Sequence, residues 1–406
     1  MNRKRAFTLV ELLVVVVIIG ILSSLVTVGV MSAVQAAKRS KIAMEMHQIT
    51  LALETYKNKF GEYPPDLWDR TAVVRHVKKR WPRFQLPTPP SGVDNNAWQY
   101  FAFLKAVDNV YQNSGKQTFL LSQGITLKSG VQFMDDFQTN PTAAAPNGSL
   151  QRQASYLGAL SFWLGGFPNQ DGKFAGFSAD PEAPLGKEYT SPTVIRNNNG
   201  DPNYTWTPNN IELGTQDKDS AFYEMIIGKN IFYVTTANDI VFPVLVNRDA
   251  TVNKDGSTPV PYVYFRGNSS GGKMAYAHLS ASNVYLSKGY EFSAATIFAG
   301  TPYAELGVIT AYAKSVSATG SPLTFQTLIW HEAERFQLIH PGLDGVFGVG
   351  RSRTDTIQLA SSGSDVLNMS GFRSTNTDFD MNDIGQKDFD NLTNFSDYQQ
   401  IKSILP

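Results

Sequence analysis

Polar and apolar positions divide the chain into three unequal parts. The first is a run without charge from Leu12 to Ala37, "LLVVVVIIGILSSLVTVGVMSAVQAA". A bilayer core needs about 20 residues of helix, so this run is long enough to cross one. The second part has a helical period. Ile42, Met46, Ile49, Leu53, Tyr56 and Phe60 follow one another at alternating steps of four and three residues, which places them on one stripe. Lys38, Arg39, Lys41, Glu45, Glu54 and Lys57 decorate the other faces. The stripe is read as packing against a sheet, not as a cofactor contact. Gly61 and Pro64-Pro65 end the helix. The pattern thus predicts one long helix, apolar all round over 7–34 and amphipathic over 35–63.

The third part, from Pro64 onward, has mixed patterning. Residues 82–96, 137–149 and 196–210, rich in Pro, Asn, Gly and Ser, read as loops. "SYLGALSFWLGGF" (155–167) reads as a short buried helix closed by Gly165-Gly166. "DIVFPVLVN" (239–247), "VPYVYFRG" (260–267) and "ERFQLIHPG" (334–342) read as strands. No internal repeat is present. The fold class is α+β: a long N-terminal helix packed on an antiparallel sheet head that carries a large insertion.

Composition narrows the function classes. The chain has 406 residues with 35 basic and 35 acidic side chains, so no basic excess draws it to nucleic acid. Charged residues are 17% and aromatics 12%, which suits a loop-rich globular head and not a disordered chain. Cys is absent, which excludes thiol catalysis, disulfides and Cys-ligated zinc.

The N-terminus adds a puzzle. Arg3, Lys4 and Arg5 precede the apolar run and, by the positive-inside rule, stay cytoplasmic and send the C-terminus outward. A cleaved signal peptide would have a shorter apolar stretch, about 7–15 residues. A plain signal-anchor is the other ordinary reading. Neither explains Glu11, because a carboxylate in a membrane helix is costly and calls for a partner. No Lys or Arg follows within reach. If the chain is cut between Ala6 and Phe7, the new α-amine of Phe7 becomes a positive charge at membrane depth. It could then pair with Glu11 of a neighbouring copy. At about 4 Å and an effective dielectric of about 20, such a pair is worth about 4 kcal/mol before desolvation.

Ala6-Phe7-Thr8-Leu9-Val10-Glu11-Leu12-Leu13, behind its basic leader, resembles the class III signal of type IV pilins and type II secretion pseudopilins. The resemblance implies cleavage after Ala6 by a prepilin peptidase that also methylates Phe7. It implies an assembly role for Phe7 and for Glu11, the fifth residue after the cut. Ala6 stands where the family usually has Gly, and Val28 where many members have Pro. "YKNKFGEYPPDL" (56–67) is also similar to the G-x-Y-P turn that ends the pseudopilin helix.

"FQLIHPGLDGVFG" (336–348) resembles the strand and loop near the end of the major pseudopilins, where a G-x-D-G turn opens a calcium-binding loop. The resemblance places Asp344 in that loop, and Asp380, Asp383, Asp388, Asp390 and Asn391 of the acidic tail are candidate Ca2+ partners. A solvated acidic tail with an Asp-Gly turn is the alternative, and no other cofactor is expected.

Other signals fall away. "WHEAERF" (330–336) has Arg335 where the metalloprotease motif needs a second His. "NRDATVNKDGS" (247–257) has Thr251 at the first position of an EF-hand loop and reads as a hairpin loop. Trp163, Tyr204 and Trp206 would make a sugar platform only if exposed together, and core is the preferred reading. No phosphate loop, nucleophile elbow or dinucleotide fingerprint occurs.

The expectation is a non-enzymatic filament subunit, pseudopilin or pilin-like. It is organised as leader 1–6, transmembrane helix 7–34, amphipathic helix 35–63, enlarged head 64–335 and C-terminal strand and tail 336–406. Its expected place is the bacterial inner membrane, single-pass, with a periplasmic head. The expected partners are a prepilin peptidase/methyltransferase, other pilins or pseudopilins, an assembly platform and the membrane. The alternative is a minor tip pilin whose large head binds polysaccharide or a secreted substrate.

Overall fold

The computed structural model describes residues 9–67, 69–86, 88–89, 91, 94–112, 155–169, 172–185, 193–196, 202–205, 220–235, 241–251, 258–270, 273–275, 278–279, 285–286, 291–293, 303, 306, 308–311, 313–316, 328–330, 332–347 and 392–396. Helix α1 runs unbroken from Leu9 to Phe60, 52 residues, or about 78 Å at about 1.5 Å per residue. Gly20 and Gly29 lie inside it without interrupting it. Its first half is apolar all round, and its described side chains are exposed. Its second half seats the predicted stripe: Ile42, Met46, Ile49, Leu53 and Tyr56 are each fully buried, with Phe60 packed at the edge of the core. Each such side chain contributes about 1.5–3 kcal/mol of burial, an upper estimate because unfolded chains already hide some surface.

Gly61, with φ 75°, breaks the helix through a left-handed turn that its missing side chain allows. The chain then enters two helices that the sequence reading did not resolve. Helix α2, Arg70–Arg80, starts at Asp69, whose Oδ1 accepts from the Thr71 and Ala72 amides at 2.9 and 3.2 Å. Helix α3, Asn95–Gln112, packs beside α2 and begins inside the predicted 82–96 loop. The short buried helix predicted at 155–167 is present as α4, Ser155–Leu160. It continues into a wider π turn over Ser161–Gly165 and stops at Gly166, φ 71°. Trp163 in that turn is fully buried among Trp81, Phe103, Phe162 and Phe177, which removes it from any exposed sugar platform.

Six strands build the centre of the head: β1 Ile231–Thr235, β2 Val241–Thr251, β3 Pro259–Pro261, β4 Val263–Arg266, β5 Phe336–His340 and β6 Leu392–Thr393. β1, β2 and β3 form one antiparallel sheet, with Ile231 opposite Leu245 and Val246 opposite Pro261. β4, β5 and β6 form another, with Leu338 opposite Tyr264 and Ile339 opposite Thr393. Tyr262 alone separates β3 from β4, so one stretch of chain passes between the sheets, and its amide donates to Leu245 O at 3.1 Å. Among the described residues the strands of the head fall into several small antiparallel sheets, as the α+β reading requires. The predicted 196–210 loop also holds a strand, since Pro202–Thr205 pairs with Thr193–Arg196.

Candidate functional site

The described surface that most needs a partner is the first half of α1. Every described side chain from Leu9 to Ala37 is exposed, among them Leu9 at 78%, Leu25 at 66% and Met31 at 62%. α1 is long and apolar enough to cross a membrane, and its most apolar 18-residue window has a mean hydropathy of 2.9 with none of it buried. A core helix of the same composition would be covered by its own protein; this one is not. Two of its hydroxyls turn inward, as a lipid environment favours. Ser24 Oγ donates to Ile21 O and Thr27 Oγ1 to Ser23 O, both at 2.8 Å. Glu11 stands exposed in the first described turn, where a carboxylate also complements the helix dipole. Ala6 and Phe7 lie outside the described residues.

The second half of α1 is held to the head by carboxylates that a stripe analysis assigns to outer faces. Glu45 accepts from Tyr262 Oη at 2.9 Å and from Asn247 Nδ2. Burial raises its pKa, only partly opposed by those two donors and Lys41. Lys41 in turn pairs with Asp249 at 2.7 Å. Glu54 accepts from Tyr63 Oη at 2.9 Å and pairs with Arg335. Just beyond α1, Glu62 meets His76 Nδ1 at 2.9 Å and Arg266 at 3.1 Å. Burial alone would raise the Glu62 pKa, but the His76 hydrogen bond and the cations around it hold it at about 2. Burial lowers His76 to about 4, so at neutral pH the charges that hold Glu62 ionised are Arg266 and Arg75. His76 Nε2 lies 2.6 Å from Tyr56 Oη, which also accepts from Arg80 Nη1 at 2.8 Å. These contacts fix the helix to the head as one lever.

Of the predicted calcium residues, Asp344 is described and exposed in the turn after β5. Its Oδ1 accepts from the Val346 amide at 2.9 Å. Asp380, Asp383, Asp388, Asp390 and Asn391 lie outside the described residues. Among the described residues no group of three His, Asp or Glu assembles for a metal. Calcium needs six to eight oxygens, which the described donors alone do not supply. Where α1 leaves its apolar half, a cleft of about 390 Å³ opens between helix and head, lined by Gln35, Lys38, Arg39, Asp249, Leu343 and Asp344.

The comparisons bear on this helix. Residues 1–27 match the family model of the prokaryotic N-terminal methylation motif. A type II secretion system core protein G of Pseudomonas aeruginosa is 35% identical over 110 residues, 25% of this chain and 75% of that protein. The chain belongs to the type II secretion system core protein G family. The Klebsiella pneumoniae core protein G is 41% identical over 64 residues, 16% of this chain and 46% of that protein. The Escherichia coli one is 38% identical over 63 residues, 16% and 43%. The chain thus spans less than half the length of those two pseudopilin relatives. No solved structure gives a significant match. The motif matched at residues 1–27 ends within the apolar half of α1, and the Pseudomonas match spans a quarter of this chain, less than the enlarged head alone.

Proposed function

We propose that this chain is a structural subunit of a type II secretion pseudopilus or a related type IV pilus-like filament, without catalytic activity. The observation that carries the reading is α1: an uncovered apolar helix with Glu11 in its first described turn, inside a matched methylation motif. In this account a prepilin peptidase removes residues 1–6 and methylates Phe7. The subunit waits in the inner membrane with its head in the periplasm. An assembly platform then extracts it into a fibre whose centre is made of these helices. The amine of Phe7 meets Glu11 of the adjacent subunit, and that pairing fixes the register. The rigid seat formed by Glu45, Glu54 and Glu62 carries each head outward with its helix. The tip-adhesin alternative is not favoured, since the relatives it resembles are core proteins of the secretion system by name. The same reading assigns calcium to Asp344 with Asp380, Asp383, Asp388, Asp390 and Asn391, ordering the tail on the head; melting in Ca2+ and in EGTA would then differ.

The test is Glu11→Ala in cells that assemble the fibre. Cleavage between Ala6 and Phe7 is expected at the normal level, because Glu11 lies outside the leader. The sheared filament fraction should fall at least about tenfold, since a pair worth a few kcal/mol is lost. Equal incorporation of the variant would overturn the pairing.

A further inference from the structure

Helix α2 turns a face of cations to solvent. Arg75, Lys78 and Lys79 stand at i, i+3 and i+4, so they are neighbours on one side of the helix, and all three are exposed. Arg83, in the turn just after α2, and Lys59, near the end of α1, are exposed as well. A carboxylate that meets this face is Glu62, 3.7 Å from Arg75 and 4.0 Å from Lys79. It is already engaged by Arg266 at 3.1 Å. Lys78 and Arg83 pair with no carboxylate among the described residues. In a chain with 35 basic and 35 acidic side chains, such a concentration is a local field and not a property of the whole. Cations in the last turn of a helix complement its dipole, which accounts for Lys78 and Lys79. It does not account for Arg75 in the middle of α2 or for Arg83 beyond its end.

Position and chemistry select the partner. At about 1.5 Å per residue, Phe60 stands about 39 Å along α1 from residue 34, where the membrane span ends. Arg75 and Lys79 meet Glu62 just beyond Phe60, so the face is out of reach of the lipid that holds the helix. A second copy presenting the same face would bring like charges together, which repels it. Single-stranded nucleic acid asks for exposed aromatic platforms. Here Trp81 and Phe84 are buried, and the side chains exposed between the cations are Thr71, Pro82 and Gln85. Glu62 shows what the face does hold, a carboxylate between a guanidinium and an ammonium. Cationic clusters of this kind read acidic motifs.

We propose that the exposed face of α2 docks an acidic segment of a second protein, a run of Asp and Glu side chains lying across Arg75, Lys78, Lys79 and Arg83. The partner meets the head at its end remote from the membrane. The exclusion of lipid rests on the membrane-anchor reading above; the cationic face itself does not.

The experiment uses the full chain in maltoside micelles at about 50 mM salt, where screening is weak. The probes are a fluorescent polyglutamate of about 20 residues and a single-stranded oligonucleotide of equal charge, each read by anisotropy. Saturable polyglutamate binding is expected, at least about threefold tighter than the oligonucleotide and weakened by added salt. Lys78→Glu with Arg83→Glu, at exposed positions, should weaken it at least about tenfold and leave the melting temperature unchanged. Lys38→Glu with Lys41→Glu, exposed at the opposite end of the amphipathic half of α1, changes net charge equally and should leave it within about twofold. No polyglutamate binding, equal weakening by both pairs, tighter binding of the oligonucleotide, or a native dimer that the Lys78 and Arg83 reversals abolish would each overturn the proposal. The reversals leave the apolar half of α1 untouched, so the anchor reading is tested apart: a chain that stays in solution without detergent defeats the anchor, while polyglutamate binding still reads the face.

Discussion

Leu51 and Leu53 stand two residues apart on α1, yet Leu51 is 61% exposed and Leu53 fully buried. Truncating each to Ala removes the same atoms from the same helix, so helix propensity changes equally. At Leu53 the loss is the transfer free energy of the side chain together with the cavity left in the core. Such sites cost about 2–5 kcal/mol. At about 2–4 °C per kcal/mol for domains of 150–250 residues, and somewhat less for a larger head, Leu53→Ala should lower the melting temperature by roughly 5–10 °C. Leu51→Ala should stay within about 0.5 kcal/mol. The assay is thermal melting of the full chain in maltoside micelles, followed by near-ultraviolet circular dichroism, which reports the buried aromatic cluster. Equal losses, or a larger loss at Leu51, would refute the seating of α1 described here. Leu51 also supplies a second readout: on a face left exposed by the described residues, its truncation should weaken packing in the fibre while leaving the monomer intact.

Acidification should destabilise the head between about pH 6.5 and 4. Burial holds the imidazoles of His76 and His340 at about 4 and about 3, below the ordinary histidine value, so the unfolded chain binds protons there that the folded chain does not. His76 alone accounts for roughly 3 kcal/mol by pH 4. Glu45, raised by burial, acts with the opposite sign, and a melt series from pH 7.5 to 4 reads the balance: His76→Gln should flatten it, and a profile as steep as the native one would contradict the assignment. Gly166→Ala should cost about 2–4 kcal/mol, because a Cβ there would fall 2.3 Å from the carbonyl carbon and oxygen of Gly176 at a φ of 71°. An unchanged melting temperature for that variant would show the turn to be built otherwise.

The parts of the fold that the sequence made legible are those where one force dominates. The α1 stripe was readable because core packing repeats with the helix period from Ile42 to Tyr56. The buried 155–167 segment was readable because apolar residues, broken only at Ser161 after Tyr156, run into a Gly pair. Helices α2 and α3 were not. In α2 the apolar positions Ala72, Val73, Val74 and Val77 are diluted by Arg75, Lys78, Lys79 and Arg80, and the buried side of the helix includes His76 and Arg80. Arg80 is buried because its guanidinium lies over the rings of Phe60, Trp81 and Phe177, a compensation visible only in three dimensions. The seat of α1 escaped for the same reason. Glu45 and Glu54 read as solvated, yet their partners Tyr262, Asn247 and Arg335 lie far along the chain. Glu11 was legible because its chemistry is local: a carboxylate in an otherwise uncharged apolar run needs no tertiary context to be noticed.

The central claim is that a new amine at Phe7 serves the carboxylate of Glu11 in the adjoining helix. Mass spectrometry of the N-terminal peptide, from membranes of cells that make the protein, tests it most directly. The account predicts a peptide that starts at Phe7 and carries one added methyl group on its α-nitrogen. A peptide that still holds Arg3, Lys4 and Arg5 would contradict it.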